Sequence, residues 1–415
     1  MNDFCKKSQE TARALRKLFD PTPLQRNDYL SVLYEADIWL KREDLSPVRS
    51  YKLRGAFNAM RKFLANAPSQ THFVCASAGN HAQGVAYACR YFGVRGTIFM
   101  PVTTPQQKID KTRNFGAGVV DIVLLGDYFD QTLLAAQGFC QDKDAHFLSP
   151  FDDNDVIEGQ ATVAVELYEQ LGKAPDLVIL PVGGGGLSAG VTSYLREVAP
   201  HTAYYFVEPK GGASMTAALA AGHPVALSQV NSFVDGAAVA RMGEKTFERL
   251  KWVAPEQVLL APEDRICMTM LMMLNIEGIV LEPAGALSVD VLPQLAQQIK
   301  GKTVILVTSG GNFDFERLPE VKERAQRFAG LKKYLILRMP QRPGALREFL
   351  SMLGPDDDIA RFEYLKKSAR NFGSVLIGIE TKNTNNFTTL FALLEEAGFP
   401  YRDITSDETI SEFLI

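Results

Sequence analysis

Short, continuous apolar runs alternate with longer amphipathic segments, and this alternation constrains the fold of the 415-residue chain more than any other feature. The runs are HFVCAS from residue 72, then GTIFMP, GVVDIVLL, DLVILPV, AYYFVEP, QVLLAP and TVILVTS. Strands that are buried on both faces of a parallel sheet have such unbroken apolar sequences, and the helices between them form the crossovers. We therefore predict an α/β fold of open, mostly parallel sheets, with ligands at the carboxyl ends of the strands.

The order of predicted strands and helices changes after residue 317. A charged helical segment, 318–330, precedes six segments: KYLILRMP, GALREFLSMLG, ARFEYLKK, GSVLIGIE, NFTTLFALLEEAGF and YRDIT. Their order is strand, helix, strand, strand, helix, strand, which is typical of an α+β ferredoxin-like domain. We therefore predict a first domain of two α/β subdomains over residues 1–317, a connector over 318–330 and a second domain over 331–415.

Composition and charge exclude several classes of protein. The net charge is -4 without long runs of either sign, so we expect neither nucleic acid nor a membrane surface as a partner. The five cysteines are scattered without CxxC spacing, and the five histidines show no HExxH motif. No apolar run approaches the roughly 18 residues of a membrane-spanning helix. We expect a cytoplasmic protein that acts on a small molecule.

Three segments rich in glycine and small polar residues follow predicted strands: SAGNHAQG at 77–84, GGGGL at 183–187 and TSGGN at 308–312. Four glycines before a helix allow backbone N–H groups to converge on an anion, although a flexible turn is the alternative. Neither GxGxxG nor GxxxxGK[ST] is present, so we predict a phosphate-bearing cofactor that is not a nucleotide. In SAGNH, Ser77 or Asn80 could instead cap the helix that begins near His81.

Lys52 lies at a predicted helix start, in SYKLRGA at 50–56. Considered alone, it would be a solvated surface lysine, which is common. An amine, a phosphate site and a polar asparagine loop together suggest a carbonyl cofactor: the amine forms a Schiff base, glycine amides hold the phosphate, and an amide reaches the phenolic oxygen. This combination predicts pyridoxal 5'-phosphate.

SYKLRGA, ASAGNHAQGVA, VGGGGL, EPAGA and TSGGN occur in this order and resemble the tryptophan-synthase-β-like superfamily of pyridoxal-phosphate enzymes, fold type II. LKREDLSPVRSYKLRGAFNAM is similar to the threonine dehydratases, also called threonine ammonia-lyases. The resemblance covers residues 20 to about 315. It implies β-elimination of L-threonine to 2-oxobutanoate and ammonia, the first step of isoleucine biosynthesis, with L-serine as a slower substrate. The alternatives are a serine dehydratase or racemase and a non-catalytic amino-acid sensor, which the retained Lys52 disfavours.

The resemblance also implies a role for each matching residue. Lys52 would form the Schiff base and take the α-proton, Asn80 would hydrogen-bond the cofactor's 3'-oxygen, and Ser309 would meet the pyridine nitrogen. The phosphate would be bound by Gly183, Gly184, Gly185, Gly186 and Leu187. The substrate carboxylate would be bound by Ser77, Ala78, Gly79 and Asn80. Serine racemases carry a second serine at position 78, so Ala78 predicts dehydration without racemisation, since the second proton-transfer group is missing.

Two further sites follow from the resemblance. VEPKGGASM is similar to a segment that binds a monovalent or divalent cation, and the matching residues are Glu208, Gly212 and Ser214; a surface loop after a strand is the alternative. The second domain resembles the ACT-like regulatory domains of biosynthetic threonine dehydratases, which implies isoleucine as an effector. An oligomerisation domain without an effector is the alternative. We expect a homodimer or homotetramer.

Overall fold

A computed structural model describes residues 1–365 and 371–407 of the chain. They divide into two units, the first formed by Met1–Asp314 and the second beginning at Phe315. The helices of the first unit are α1 Asp3–Leu15, α2 Asp28–Tyr34, α3 Lys52–Asn66, α4 Asn80–Phe92, α5 Gln106–Gly116, α6 Phe129–Lys143, α7 Asn154–Leu171, α8 Gly186–Val198, α9 Ser214–Ala221, α10 Glu244–Leu250, α11 Glu263–Glu277, α12 Pro283–Asp290 and α13 Leu292–Ile299.

The strands of the first unit form two sheets. They are β1 Leu24–Arg26, β2 Asp37–Arg42, β3 His72–Ala76, β4 Arg95–Met100, β5 Val120–Leu124, β6 His146–Phe147, β7 Leu177–Pro181, β8 Ala203–Pro209, β9 Val258–Ala261 and β10 Thr303–Thr308. The larger sheet has the order β1-β2-β10-β7-β8-β9, and the smaller has the order β5-β4-β3-β6. Every pairing is parallel except β1 with β2. The predicted mostly parallel sheets are confirmed.

Each of the seven apolar runs forms a strand of the two sheets. The inner strands are largely buried, whereas the edge strands β5 and β9 are only partly buried. Strand β7, for example, is buried at all five positions, and β10 at all six. The strands β1, β2 and β6 lie outside the predicted alternation. Of these, β2 is integral to the larger sheet, where it pairs with β10 over the whole length of both strands.

Helix α3, which begins at Lys52, packs against α7 with almost no space between the two backbones. A Cβ added at Gly159 would lie 2.5 Å from the carbonyl oxygen of Arg54 and 2.7 Å from the Cα of Gly55. A Cβ at Gly55 would lie 2.8 Å from a methyl carbon of Val156. Glycine is therefore required on both helices at this crossing.

The second unit has the predicted βαββαβ order. Its elements are the helices α14 Leu318–Phe328, α15 Ala345–Leu350 and α16 Asn385–Glu396, and the strands β11 Lys332–Pro340, β12 Asp358–Leu365, β13 Phe372–Glu380 and β14 Tyr401–Asp403. The antiparallel sheet has the order β12-β13-β11-β14, and one face packs on α15 and α16 through residues such as Phe349 and Leu390. The segment predicted as a connector contains α14, which belongs to this unit.

None of the helices in residues 1–365 and 371–407 is long and apolar enough to cross a membrane.

Candidate active site

Lys52 lies beside the glycine loop, which we define as residues 183–187. Its Nζ donates a hydrogen bond to the carbonyl oxygen of Pro150 at 2.9 Å and lies 5.9 Å from the centre of the Phe151 ring. The same ring covers the glycine loop, since a Cβ added at Gly184 would lie 2.4 Å from it. The Phe151 ring is therefore next to both the Lys52 amine and the glycine loop, which the sequence predicted to form one cofactor site.

The environment of Lys52 favours its neutral form. Withdrawal from water lowers the pKa of the Lys52 amine from 10.5 to about 8, while the nearby Glu282 carboxyl acts in the opposite direction. A lowered pKa increases the fraction of amine that can act as a nucleophile or base near neutral pH. Lys52 is only partly exposed, and its amine is bonded to a backbone carbonyl, so the interpretation as a freely solvated surface lysine is wrong.

The glycine loop is a packed cradle of backbone groups at the start of α8. Gly185 is the N-cap of this helix, with φ +89°, and no side chain caps the helix. A Cβ at Gly183 would lie 3.0 Å from Ala237, and one at Gly185 would lie 2.7 Å from Met242. The free N–H groups at an uncapped helix start form an anion site. This packing favours the predicted phosphate site over a flexible turn.

Residues 77–79 connect β3 to α4, which begins at Asn80, and no side chain of this segment caps the helix. Its N-cap is Gly79, and no side-chain hydrogen bond caps it, so the capping alternative for Ser77 and Asn80 is wrong. The Ser77 hydroxyl instead accepts from the Gly79 N–H at 3.2 Å. The first-turn N–H groups of α4, like those of α8, are left without a side-chain acceptor and could bind a carboxylate.

Ser309 is buried at the end of β10, where its hydroxyl donates to the carbonyl oxygen of Ala284 at 3.2 Å. Its own carbonyl oxygen accepts from the N–H of Tyr51 at 3.2 Å. The backbone immediately before Lys52 is therefore attached to β10, and the residues predicted on two distant segments are neighbours in the fold.

Two residues of this region had no role in the sequence analysis, Glu282 and Asn312. Asn80 donates through Nδ2 to Glu282 Oε1 at 2.7 Å and accepts at Oδ1 from Asn312 Nδ2, also at 2.7 Å. Burial, reinforced by Asp235, raises the pKa of the Glu282 carboxyl to about 8, although its hydrogen bond from Asn80 opposes this. Glu282 is the first residue of the motif EPAGA and Asn312 is the last residue of TSGGN. Both motifs pointed to the family, but neither residue was predicted to have a role in the site.

A buried cluster of charges lies two residues beyond Lys52. The guanidinium of Arg54 makes bidentate hydrogen bonds to Glu43 and Glu166, and Lys41 contacts Glu166 at 2.7 Å. All four side chains are at most 2% exposed. Burial alone would raise the pKa of Glu166, but Arg54 and Lys41 outweigh it and lower that pKa to about 2. This charge cluster connects α3 with β2 and α7.

The predicted cation residues lie next to the glycine loop. Glu208 and Ser214 are fully buried, and the Ser214 hydroxyl donates to the carbonyl oxygen of Gly183 at 3.4 Å. Both oxygens of Glu208 accept from the start of α9, at 2.6 Å from Met215 N and 2.9 Å from Thr216 N. Burial raises the pKa of Glu208 to about 7. Cation binding by Glu208, Gly212 and Ser214 stays a prediction.

The residues present fit pyridoxal phosphate. They combine an amine of lowered pKa, a cradle in which only glycine fits, and, within the described part of the chain, a buried Asn312 Oδ1 without a hydrogen-bond partner. Together with the two mostly parallel sheets, this site defines a pyridoxal-phosphate enzyme of fold type II.

Comparison with known proteins gives the family. Residues 15–310 match the pyridoxal-phosphate dependent enzymes, and residues 323–414 match the C-terminal regulatory domain of threonine dehydratase. The biosynthetic L-threonine dehydratase IlvA of Bacillus subtilis (strain 168) is 48% identical over 95% of this chain and 93% of its own. Its namesake in Lactococcus lactis subsp. lactis (strain IL1403) is 44% identical over 99% of each chain.

A solved structure agrees with these relatives. The processed form of threonine deaminase isoform 2 from Solanum lycopersicum superposes with a TM-score of 0.73 at 37% identity, covering 78% of this chain and 94% of that chain. The chain belongs to the biosynthetic threonine dehydratase family of pyridoxal-phosphate dependent lyases. The predicted resemblance, fold class, enzyme class and cofactor are confirmed.

Proposed function

We propose that this enzyme converts L-threonine into 2-oxobutanoate and ammonia, the first step of isoleucine biosynthesis, and that L-serine is a slower substrate. The observation that carries the proposal is the amine of Lys52, with its lowered pKa, beside a glycine loop built for an anion. Relatives that align with nearly the whole chain and are named biosynthetic L-threonine dehydratases support it.

In this proposal Lys52 binds the cofactor covalently, the glycine loop holds its phosphate, and Asn80 and Ser309 contact its ring. The bound cofactor withdraws electrons from the substrate α-carbon. The N–H groups at the start of α4 orient the substrate carboxylate. The Lys52 amine, freed when the substrate amine takes its place, accepts the α-proton. Loss of water across the α- and β-carbons leaves an enamine. Its imine tautomer then takes up one water, which releases ammonia and leaves the 2-oxo acid.

The test is an assay of purified protein with L-threonine, L-serine or neither. We expect 2-oxobutanoate and ammonia in equal amounts from L-threonine, and slower formation of the corresponding 2-oxo acid from L-serine. A protein that binds these amino acids without releasing ammonia would be a sensor, and the proposal would be rejected. Faster turnover of serine than of threonine would favour a serine dehydratase.

Ala78 leads to a prediction about stereochemistry. We expect the protein to release no D-serine from L-serine at a rate comparable to dehydration, because alanine cannot transfer a proton at the face opposite Lys52. Ala78→Ser should raise the ratio of D-serine formed to 2-oxo acid formed, as measured by chiral chromatography beside the dehydratase assay. Substantial D-serine from the unmodified protein would contradict the assignment of Ala78.

We also propose that the second unit binds isoleucine and lowers activity. A surface cavity of about 440 Å³ lies at the start of α15 and is lined by polar and apolar residues that suit an amino acid. The guanidinium of Arg347 would attract the carboxylate, and Leu346, Leu350 and Tyr364 would contact the aliphatic side chain. An effector changes activity only if it binds one state more tightly, and couplings of about 1 to 3 kcal/mol are typical.

This regulation predicts different responses from three proteins. Full-length enzyme should be inhibited by isoleucine; Arg347→Ala should keep its basal rate but need about tenfold more isoleucine, the usual effect of losing a charge-assisted contact. A chain ending at Asp314 should turn over threonine without responding to isoleucine. Light scattering beside the assay gives the mass of each protein. Loss of activity together with a smaller mass would instead support an oligomerisation domain, and an unchanged isoleucine response in the shortened chain would refute the regulatory role.

The homodimer or homotetramer, the cytoplasmic location and the cation remain predictions. The five cysteines are free, four of them buried, as a reducing compartment would favour.

A further inference from the structure

A chain of hydrogen bonds fixes the orientation of the Asn80 side-chain amide. It starts at the backbone carbonyl oxygen of Val48, which can only accept, and which receives a hydrogen bond from Asn312 Nδ2 at 2.8 Å. The second hydrogen of this Nδ2 is donated to Asn80 Oδ1 at 2.7 Å. Because the carbonyl of Val48 cannot reverse its polarity, the orientation of Asn312, and then that of Asn80, is determined.

The chain ends at Glu282. With its oxygen facing Asn312, Asn80 directs its Nδ2 toward Glu282 Oε1, 2.7 Å away. A side-chain amide has two N–H donors, and Glu282 accepts one of them. A carboxyl group keeps an acceptor oxygen in either protonation state, so this interaction persists over a wide pH range. One N–H of Asn80 is left to donate to a ligand.

Glu282 cannot move away from this position easily. Its side chain is 4% exposed, and a Cβ added at Gly310 would lie 2.2 Å from Oε1. A Cβ at Gly236 on the opposite segment would lie 3.4 Å from the same oxygen. The absence of side chains at Gly310 and Gly236 makes room for the Glu282 carboxyl group. The backbone at these two glycines packs closely around the carboxyl group and keeps it next to Asn80.

We propose that Glu282 is a positioning residue: with Asn312 it holds the Asn80 amide so that a single N–H faces the cofactor's oxygen. This inference rests on the proposed contact between Asn80 and the cofactor. An amide held in one orientation donates without a further ordering cost, whereas a free amide would present its oxygen as often as its nitrogen.

A double-mutant cycle on cofactor affinity tests the proposal. Apoprotein of wild type, Asn80→Ala, Glu282→Met and the double variant is titrated with pyridoxal phosphate, and the affinity and the visible absorbance of the bound cofactor are recorded. Asn80→Ala should weaken binding by about tenfold, roughly the loss of one hydrogen bond. Glu282→Met should weaken it by about three- to tenfold, and the double variant should match Asn80→Ala, since Glu282 acts through Asn80.

Two controls separate positioning from general damage. Glu282→Gln retains an acceptor oxygen and should bind the cofactor within about threefold of wild type. Glu277→Met removes the acceptor of another Asn–Glu pair, Asn27 Nδ2 to Glu277 Oε2 at 2.8 Å, and should leave cofactor affinity and absorbance unchanged. If apoprotein carrying Glu282→Met does not fold, the cycle is run with Asn312→Ala, which removes the other anchor of Asn80.

Each outcome decides the matter. Additive losses in the double variant, or full affinity in Glu282→Met, would overturn the positioning role while leaving the proposed function intact. Full affinity in Asn80→Ala would instead refute the contact between Asn80 and the cofactor, and the inference would fall with it.

Discussion

Replacement of Lys52 by alanine is expected to abolish turnover of L-threonine while the fold stays intact. The variant loses both the covalent attachment of the cofactor and the base that takes the α-proton, and loss of a general base alone typically costs about 10²- to 10⁴-fold. The visible absorbance of the lysine-bound cofactor should disappear, and turnover should fall below detection in a 2-oxo acid assay.

The glycine loop provides the internal control for this variant. Because the phosphate site does not depend on Lys52, pyridoxal phosphate should still bind without a covalent bond, as detected by quenching of tryptophan fluorescence. Far-UV circular dichroism should match that of the wild type. Near-native turnover by Lys52→Ala would mean that another amine performs the chemistry.

Arg54→Met should be among the most destabilising single substitutions in the first unit. It removes the guanidinium that compensates Glu43 and Glu166, whose side chains are 0% and 2% exposed. Breaking a buried ion pair by removing one partner typically costs about 3 to 5 kcal/mol, because a charge stays buried without compensation. Chemical denaturation of apoprotein should therefore show a lower free energy of unfolding by about this amount.

Lys62→Met is the matched control, since Lys62 is on the same helix and also forms ion pairs with α7. Its partners are Asp155 and Glu158, but Lys62 is 26% exposed. Asp155 is 41% exposed, and Glu158, although only 5% exposed, keeps hydrogen bonds from Thr11 and Asn58 when the lysine is removed. The loss in this variant should therefore be about 1 kcal/mol, well below that in Arg54→Met. Equal losses for the two variants would show that the charge cluster contributes no more than an ordinary surface pair.

The sequence predicted a strand correctly where the segment itself is apolar enough to be buried. DLVILPV and TVILVTS became β7 and β10, since all their strand residues are apolar or small and fit between helices. Strand β2, with the sequence DIWLKR, was missed because its last two residues are charged. Lys41 and Arg42 are nevertheless buried, and the carboxylates of Glu166 and Asp44 compensate their charges. Such compensation depends on tertiary contacts, which hydrophobic periodicity does not report.

The same limit applies to the site. Lys52, the glycine loop and Asn80 could be predicted as site residues because glycine-rich strand ends and an amine form a recognisable local pattern. The role proposed for Glu282 could not be predicted, because its contact with Asn80 joins residues 202 positions apart. Which acceptor meets which donor at that separation is decided by the crossing of strands and helices, and no spacing within EPAGA encodes it.

The contact between α3 and α7 bears on how such an enzyme could acquire new substrates. Since no side chain fits at Gly55 or Gly159, the helix that begins with Lys52 cannot slide or tilt without breaking this crossing. The position of the Lys52 amine is therefore fixed by the packing of α3, and changes in substrate specificity must come from the residues around it. In a library selected for a new amino-acid substrate, we expect beneficial substitutions to accumulate in the segments after β3 and β10, while positions 55 and 159 stay glycine.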